Sequence, residues 1–250
     1  MASVQSNGTI GHPFIQLASV DSTNNYAHER LHAKMAAHGY SVFAEEQFAG
    51  RGQRGKIWKA EPGSNIILSV ILDTTFIPLR NQFYVGIAAA LAGFELFSTY
   101  TTDDTKIKWP NDIYWQNRKA GGILVETTTM GQQRFSIAGF GININQTAFP
   151  DIGRPVSLKQ ITGKSFTPSV LAKELCSYLE KRYLQLKQGA FDSLLKEYNS
   201  VLFRKGEVTK LKKNNIAFEC IVEHVNNNGE LVVTNGVQQC FSFGEVEWII

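Results

Sequence analysis

Gly50-Arg51-Gly52-Gln53-Arg54-Gly55-Lys56-Ile57-Trp58 is the stretch on which the reading of this chain turns. It sets three glycines, three cations and an indole within nine residues. Glycines let backbone N–H groups converge on an anion with no Cβ in the way. Arginine and lysine add charge to such a cradle, and Trp58 offers a face for a flat ring. A nucleotide site is the expectation. Its kind depends on the element that the loop leads into. Gly50-x-Gly52-x-x-Gly55 has the letters of a dinucleotide fingerprint, with Asp73 near the acidic position. Gly50-x-x-x-x-Gly55-Lys56 is nearly a P-loop, but Ile57 stands where Ser or Thr would hold Mg²⁺. Both patterns need a helix at the last glycine. Here Glu61-Pro62-Gly63 breaks the chain, and Asn65 to Leu72 reads as a buried strand. The loop therefore joins strands, and both nucleotide folds fall away.

Working outward, Asp21-Ser22-Thr23-Asn24 offers helix N-cap residues, and the stretch to His38 reads as a helix closed by Gly39. Tyr40 to Gln47 is strand-like and leads into the loop. Asn81 to Tyr100 repeats Phe83, Ile87, Leu91, Phe94 and Phe97 at the period of a helix packed on a sheet. Lys106–Trp115, Ile123–Thr128 and Arg134–Ile144 alternate with polar turns, as in hairpins. Thr167 to Leu202 reads as one or two amphipathic helices with a break at Gly189. Beyond Gly206 the texture changes to short strands at 208–211, 216–225, 230–234 and 237–243, with Asn235-Gly236 a hairpin signal. The fold class expected is α+β: a mixed or antiparallel sheet with packed helices over residues 1–202, then a small β-barrel over 203–250.

The chain has 250 residues, a net charge of +3 and 43% apolar residues, enough for a sizeable core and too mild a charge to argue for nucleic acid. No signal peptide or membrane span is legible, and three scattered cysteines suit a reducing compartment, so a cytoplasmic location is expected. A Cys220–Cys240 pair stays open. His28-Glu29-Arg30-Leu31-His32 matches a zinc-protease motif, with His38 at the third-ligand position, but Met35 occupies the place of the turning glycine. The motif reads instead as a polar surface helix.

Further segments carry chemistry. Ser22-Thr23-Asn24 and Gln47 supply small hydrogen-bonding groups. Lys108-Trp109-Pro110-Asn111-Asp112 sets a cation, an amide and a carboxylate at a strand end. Lys119-Ala120-Gly121-Gly122-Ile123-Leu124-Val125-Glu126 opens a strand with a lysine and then glycines, and Gly139-Phe140-Gly141-Ile142-Asn143 repeats the theme. In combination, from about Ser19 to Ile250, these segments resemble the biotin protein ligases.

The resemblance implies a class II synthetase-like catalytic domain with an SH3-like C-terminal barrel. It also implies the reaction: biotin and Mg·ATP give biotinyl-5′-AMP, and a lysine of a biotin carboxyl carrier domain then collects the biotin. Carried over by position, Ser22, Thr23, Asn24, Gln47, Arg51, Gly52, Gln53, Lys119, Gly121 and Gly122 look like the biotin contacts. Arg51, Arg54, Lys56, Trp58, Lys108, Asn111 and Asn143 look like the ATP and adenylate contacts. Lys119 and Arg51 are the expected catalytic pair, and Asp112 or Asn111 is a candidate Mg²⁺ contact. Many family members carry a basic residue at the place of Gln53, so the adenylate is expected to escape faster here. About twenty residues precede Ser22, too few for a helix-turn-helix domain, so DNA binding is not expected. A homodimer stays open. The rival readings are a lipoate or octanoate ligase of the same fold, and a non-enzymatic protein binding RNA or a partner through Lys210, Lys212 and Lys213.

Overall fold

The computed structural model describes residues 9–101, 104–149 and 154–250. Its elements run β1 (Phe14–Val20), α1 (Thr23–His32), β2 (Ser41–Gln47), β3 (Asn65–Asp73), α2 (Phe83–Thr99), β4 (Thr105–Lys108), β5 (Asp112–Trp115), β6 (Arg118–Met130), β7 (Gln133–Asn143), α3 (Leu158–Thr162), α4 (Pro168–Lys187) and α5 (Phe191–Ser200). Five strands complete the chain: β8 (Val208–Lys213), β9 (Ile216–Val225), β10 (Leu231–Thr234), β11 (Gln238–Phe241) and β12 (Glu247–Ile249).

The first seven strands form one mixed sheet in the order β1-β2-β3-β7-β6-β5-β4. Only β1 and β2 pair in parallel, with α1 crossing between them. Central strand β3 is covered on both faces. Ile66, Leu68, Val70 and Leu72 join α2 and α4 in the main core, while Ile71 joins Ala27 and Leu31 of α1 in a smaller one. That split is the period of two expected of a pleated strand. The large core follows from α2, whose buried Ala88, Ala89 and Ala92 are small enough to seat the helix closely on the sheet, with Val85 and Leu96 filling the space beside them.

The mixed sheet and packed helices agree with the expected fold class. Three local expectations need correction. First, α1 stops at His32 rather than running to His38. Lys34 takes a left-handed φ of 58°, and the Met35 N–H returns to the Arg30 carbonyl, the bond of a Schellman turn. Second, β1, α3 and β12 are elements that the hydrophobic pattern did not reveal. Third, Lys106–Trp115 is two strands, broken at Trp109-Pro110, which turn back on each other.

The five C-terminal strands form an antiparallel sheet in the order β11-β10-β9-β8-β12. Its apolar residues, Leu211, Val222, Leu231 and Phe241, are continuous with the main core. Phe203 sits at the junction, 5.1 Å from the Tyr114 ring and 5.8 Å from Trp248. The three cysteines are free. Among the described residues, no helix is long and apolar enough to cross a membrane.

Candidate functional site

On the α1 side of the sheet, the strand register collects small residues. Ser69 of β3 lies beside Gly139 of β7, which lies beside Leu124 of β6; one row on come Ile67, Gly141 and Gly122. A cavity of about 540 Å³ opens over this floor, bounded by the N-terminus of α1, the glycine loop, the Lys108–Asp112 corner and the turn before β12.

At the α1 end, polar groups are bonded to one another. Ser22 holds the N-cap place without a capping side-chain bond. Instead the Gln47 side-chain carbonyl accepts the Thr23 N–H at 2.6 Å and the Thr23 hydroxyl at 3.0 Å. A side chain from β2 thus meets an orphan donor of the first helical turn. The Ser69 hydroxyl lies 2.7 Å from Thr23 Oγ1 and 2.6 Å from Asn24 Oδ1. Asn24 Nδ2 donates to Glu126 Oε2 at 2.7 Å. That oxygen also takes Arg51 Nη2 at 2.9 Å, which ties the glycine loop to the helix. Gly139 is required here, because a Cβ at that position would overlap the Asn24 amide.

The glycine loop folds back on itself. Trp58 N–H donates to Gly50 O at 2.9 Å and Gly52 N–H to Lys56 O at 2.7 Å, with Arg54 (φ 57°) and Gly55 (φ 73°) at the bend. Trp58 packs against Gly141, whose added Cβ would come within 2.5 Å of the indole. The missing side chain at Gly141 thus leaves the room that the ring occupies.

Cations gather at the other end. Lys119 Nζ lies 2.7 Å from Asp112 Oδ1 and 6.0 Å from the Trp58 ring centre. Lys108 Nζ is 3.9 Å from Asp112 Oδ2. Burial pushes the Lys108 ammonium down to about 8; Asp112 opposes the shift, while Lys119 and Lys56 add to it. That corresponds to roughly 3 kcal/mol against the charged form. A polyanion entering this end would relieve the repulsion between the lysines.

Ser22, Thr23, Asn24, Gln47, Arg51, Gly52, Gln53, Arg54, Lys56, Trp58, Lys108, Asn111, Asp112, Lys119 and Gly122 all line the cavity. Gly121 and Asn143 do not. Gly121 packs against β7, where a Cβ would meet Gly141 O at 2.8 Å, and the buried Asn143 amide donates to Val156 O at 3.1 Å. Both serve the floor from behind. The Asn111 side-chain amide donates to Ile123 O, so it braces the corner. For Mg²⁺, both Asp112 oxygens already face lysines, and the described residues hold no cluster of three metal-ligating side chains. They do not fit a resident metal. His28 and His32 share one side of α1 with ring centres 4.3 Å apart. His38 instead stacks on Tyr183 at 4.4 Å and accepts the Asp73 N–H, so the zinc triad does not assemble.

Sequence reasoning assigned no role to Ser69, Glu126 or Gly139 at the α1 end, nor to Phe243, Gly244, Val246, Glu247 and Trp248, which line the cavity from the C-terminal sheet. The period-two alternation Gly122-Leu124-Glu126 was a signal for the Glu126 position. Nothing local marked the last five.

A family model described as the Biotin/lipoate A/B protein ligase family matches residues 17–143. The chain is 30% identical over 230 residues to the bifunctional ligase/repressor BirA of Bacillus subtilis, covering 89% of this chain and 70% of that one. It is 28% identical over 226 residues to the biotin–[acetyl-CoA-carboxylase] ligase of Paracoccus denitrificans, covering 87% and 92%. The solved biotin protein ligase of Aquifex aeolicus, in complex with biotin and ATP, superposes with a TM-score of 0.78 at 26% identity, over 94% of this chain and 97% of that one.

Proposed function

The chain belongs to the biotin/lipoate A/B protein ligase family, and from that premise we propose that it is an ATP-dependent biotin protein ligase. It joins biotin to AMP and passes the biotin to a lysine of a carboxyl carrier domain. The observation that carries this reading is the continuity of the cavity. One space runs from the neutral polar cluster on α1 to the cations at the Lys108–Asp112 corner, so a vitamin and a nucleotide can lie end to end.

In the first step a biotin carboxylate oxygen attacks the α-phosphorus of ATP and pyrophosphate leaves. Two anions must approach, and the barrier falls when fixed positive charge faces the reacting oxygens. Lys119 and Arg51 supply that charge, each held by a carboxylate, Asp112 and Glu126 respectively. Arg54, Lys56 and Lys108 face the phosphates. Trp58 gives the adenine a platform. In the second step the acceptor amine attacks the acyl carbon and AMP departs, with Lys119 now beside the breaking acyl–phosphate bond. Mg²⁺ enters with ATP as part of the substrate, since the lysine-paired Asp112 is not free to build a site of its own.

Pyrophosphate exchange into ATP tests the reading. Biotin should support exchange, and lipoate or octanoate should not. Exchange with lipoate alone would move the chain to the other branch of its family, and no exchange with any acid would leave only a binding protein.

A further inference from the structure

We propose that Trp248, on the last strand of the C-terminal sheet, is a positioning residue for the nucleotide half-reaction: with Tyr114 it holds the Lys108 ammonium in the cavity wall. This rests on the proposed ligase activity. The Lys108 side chain is only 14% exposed. Its carboxylate neighbour, Asp112, sits closer to Lys119, at 2.7 Å against 3.9 Å. Lys108 is thus a buried cation with the looser share of one anion, which is costly unless other groups compensate. Two aromatic faces do so. Its Nζ lies 5.2 Å from the Tyr114 ring centre and 5.6 Å from that of Trp248, both within cation–π range.

The two rings come from different sheets. Tyr114 is on β5, beside the Lys108 corner. Trp248 is on β12, where it pairs with Leu211 of β8, and Phe203 packs between the two. The Trp248 indole N–H has no acceptor among the described residues, so packing and the cation, rather than a hydrogen bond, set the ring's place. The same corner is anchored once more: Trp109 Nε1 donates to Gly229 O of the β9–β10 turn at 3.0 Å. The C-terminal sheet therefore fixes a phosphate-facing cation, while the α1 end of the cavity is built without it.

The test compares Trp248→Phe, Trp248→Leu and Trp248→Ala in the full chain, by biotin-dependent exchange with ATP and biotin each varied. Loss of the ring in Trp248→Leu and Trp248→Ala should raise KM for Mg·ATP about tenfold and leave KM for biotin within about twofold. Trp248→Phe, which keeps an aromatic face, should recover most of the loss. Val237→Ala, in the exposed β10–β11 turn, should match the parent. If Trp248→Leu performs as well as Trp248→Phe, or if both KM values rise together, the proposal is wrong. Should Trp248→Ala not fold, the Phe–Leu pair still decides. If the parent shows no exchange at all, the ligase reading fails separately, and the same variants compared by equilibrium ATP binding still report on Lys108.

Discussion

At the α1 end of the cavity, Thr23, Asn24, Gln47, Ser69 and Glu126 bond to one another from a helix and three strands. At the other end, Arg54, Lys56, Lys108 and Lys119 converge from a loop and two strands, with Asp112 shared between two of them. The first end is neutral apart from Glu126 and its partner Arg51, and its polar groups are satisfied before any ligand arrives. Such a site selects by shape and by hydrogen-bond match, because a ligand must replace every internal bond it displaces. The second end holds like charges together and is relieved by an anion. Its strength lies in charge, and its geometry depends on a loop and on the C-terminal sheet. Specificity for the acid and activation of the phosphate are thereby built from different materials within one cavity.

Lys119 is proposed to face the reacting oxygens in both chemical steps, so its loss should have the largest effect. Lys119→Ala should reduce biotin-dependent exchange and carrier labelling by at least about 10²-fold. A loss confined to one of the two steps would separate the halves more sharply than proposed. Next, two glycine substitutions should divide the cavity. Gly139→Ala drives a methyl into Asn24, whereas Gly141→Ala drives one into Trp58. Each overpacking costs about 1–3 kcal/mol. The first should raise KM for biotin and the second KM for ATP, about tenfold each, with little crossover. Equal effects on both substrates would break the comparison.

Smaller still is the change at Gln53, which lines the cavity on the loop. Gln53→Arg adds a charge-assisted bond to the adenylate and should lengthen the lifetime of the trapped intermediate by about threefold. Identical lifetimes would show that the loop holds the adenylate by backbone alone. The smallest effect belongs to a residue outside both halves. Burial holds His38 below its ordinary value of 6.5, against the pull of Glu180 and Asp73. The unfolded chain therefore takes up that proton first, and stability is lost as pH falls below about 6.5. His38→Gln should flatten that acid limb in thermal unfolding, with both KM values unchanged at neutral pH.

Part of the cavity lining was legible from sequence because its residues come in short runs: Ser22-Thr23-Asn24, the glycine loop and the lysine–glycine strand. The sheet that carries them was legible from apolar runs and turns. Strand β1 escaped because its partner, β2, lies across a helix in a parallel pair, with no hairpin turn to announce it. Asn143 shows the opposite failure: it belongs to a specific motif, yet its amide is spent on the backbone behind the floor. Trp248 escaped for a topological reason. It sits on a three-residue strand more than a hundred positions from Lys108, and only folding brings the ring to the cation.

Whether one cavity both makes and shelters an acyl-adenylate is decided by mass spectrometry of the purified protein incubated with biotin and Mg·ATP, before and after a carrier domain is added. Protein-bound biotinyl-5′-AMP should be present in the first sample. In the second it should disappear, with one biotinyl group gained on a carrier lysine. Retention of intact ATP beside free biotin, with an unmodified carrier, would refute the ligase reading.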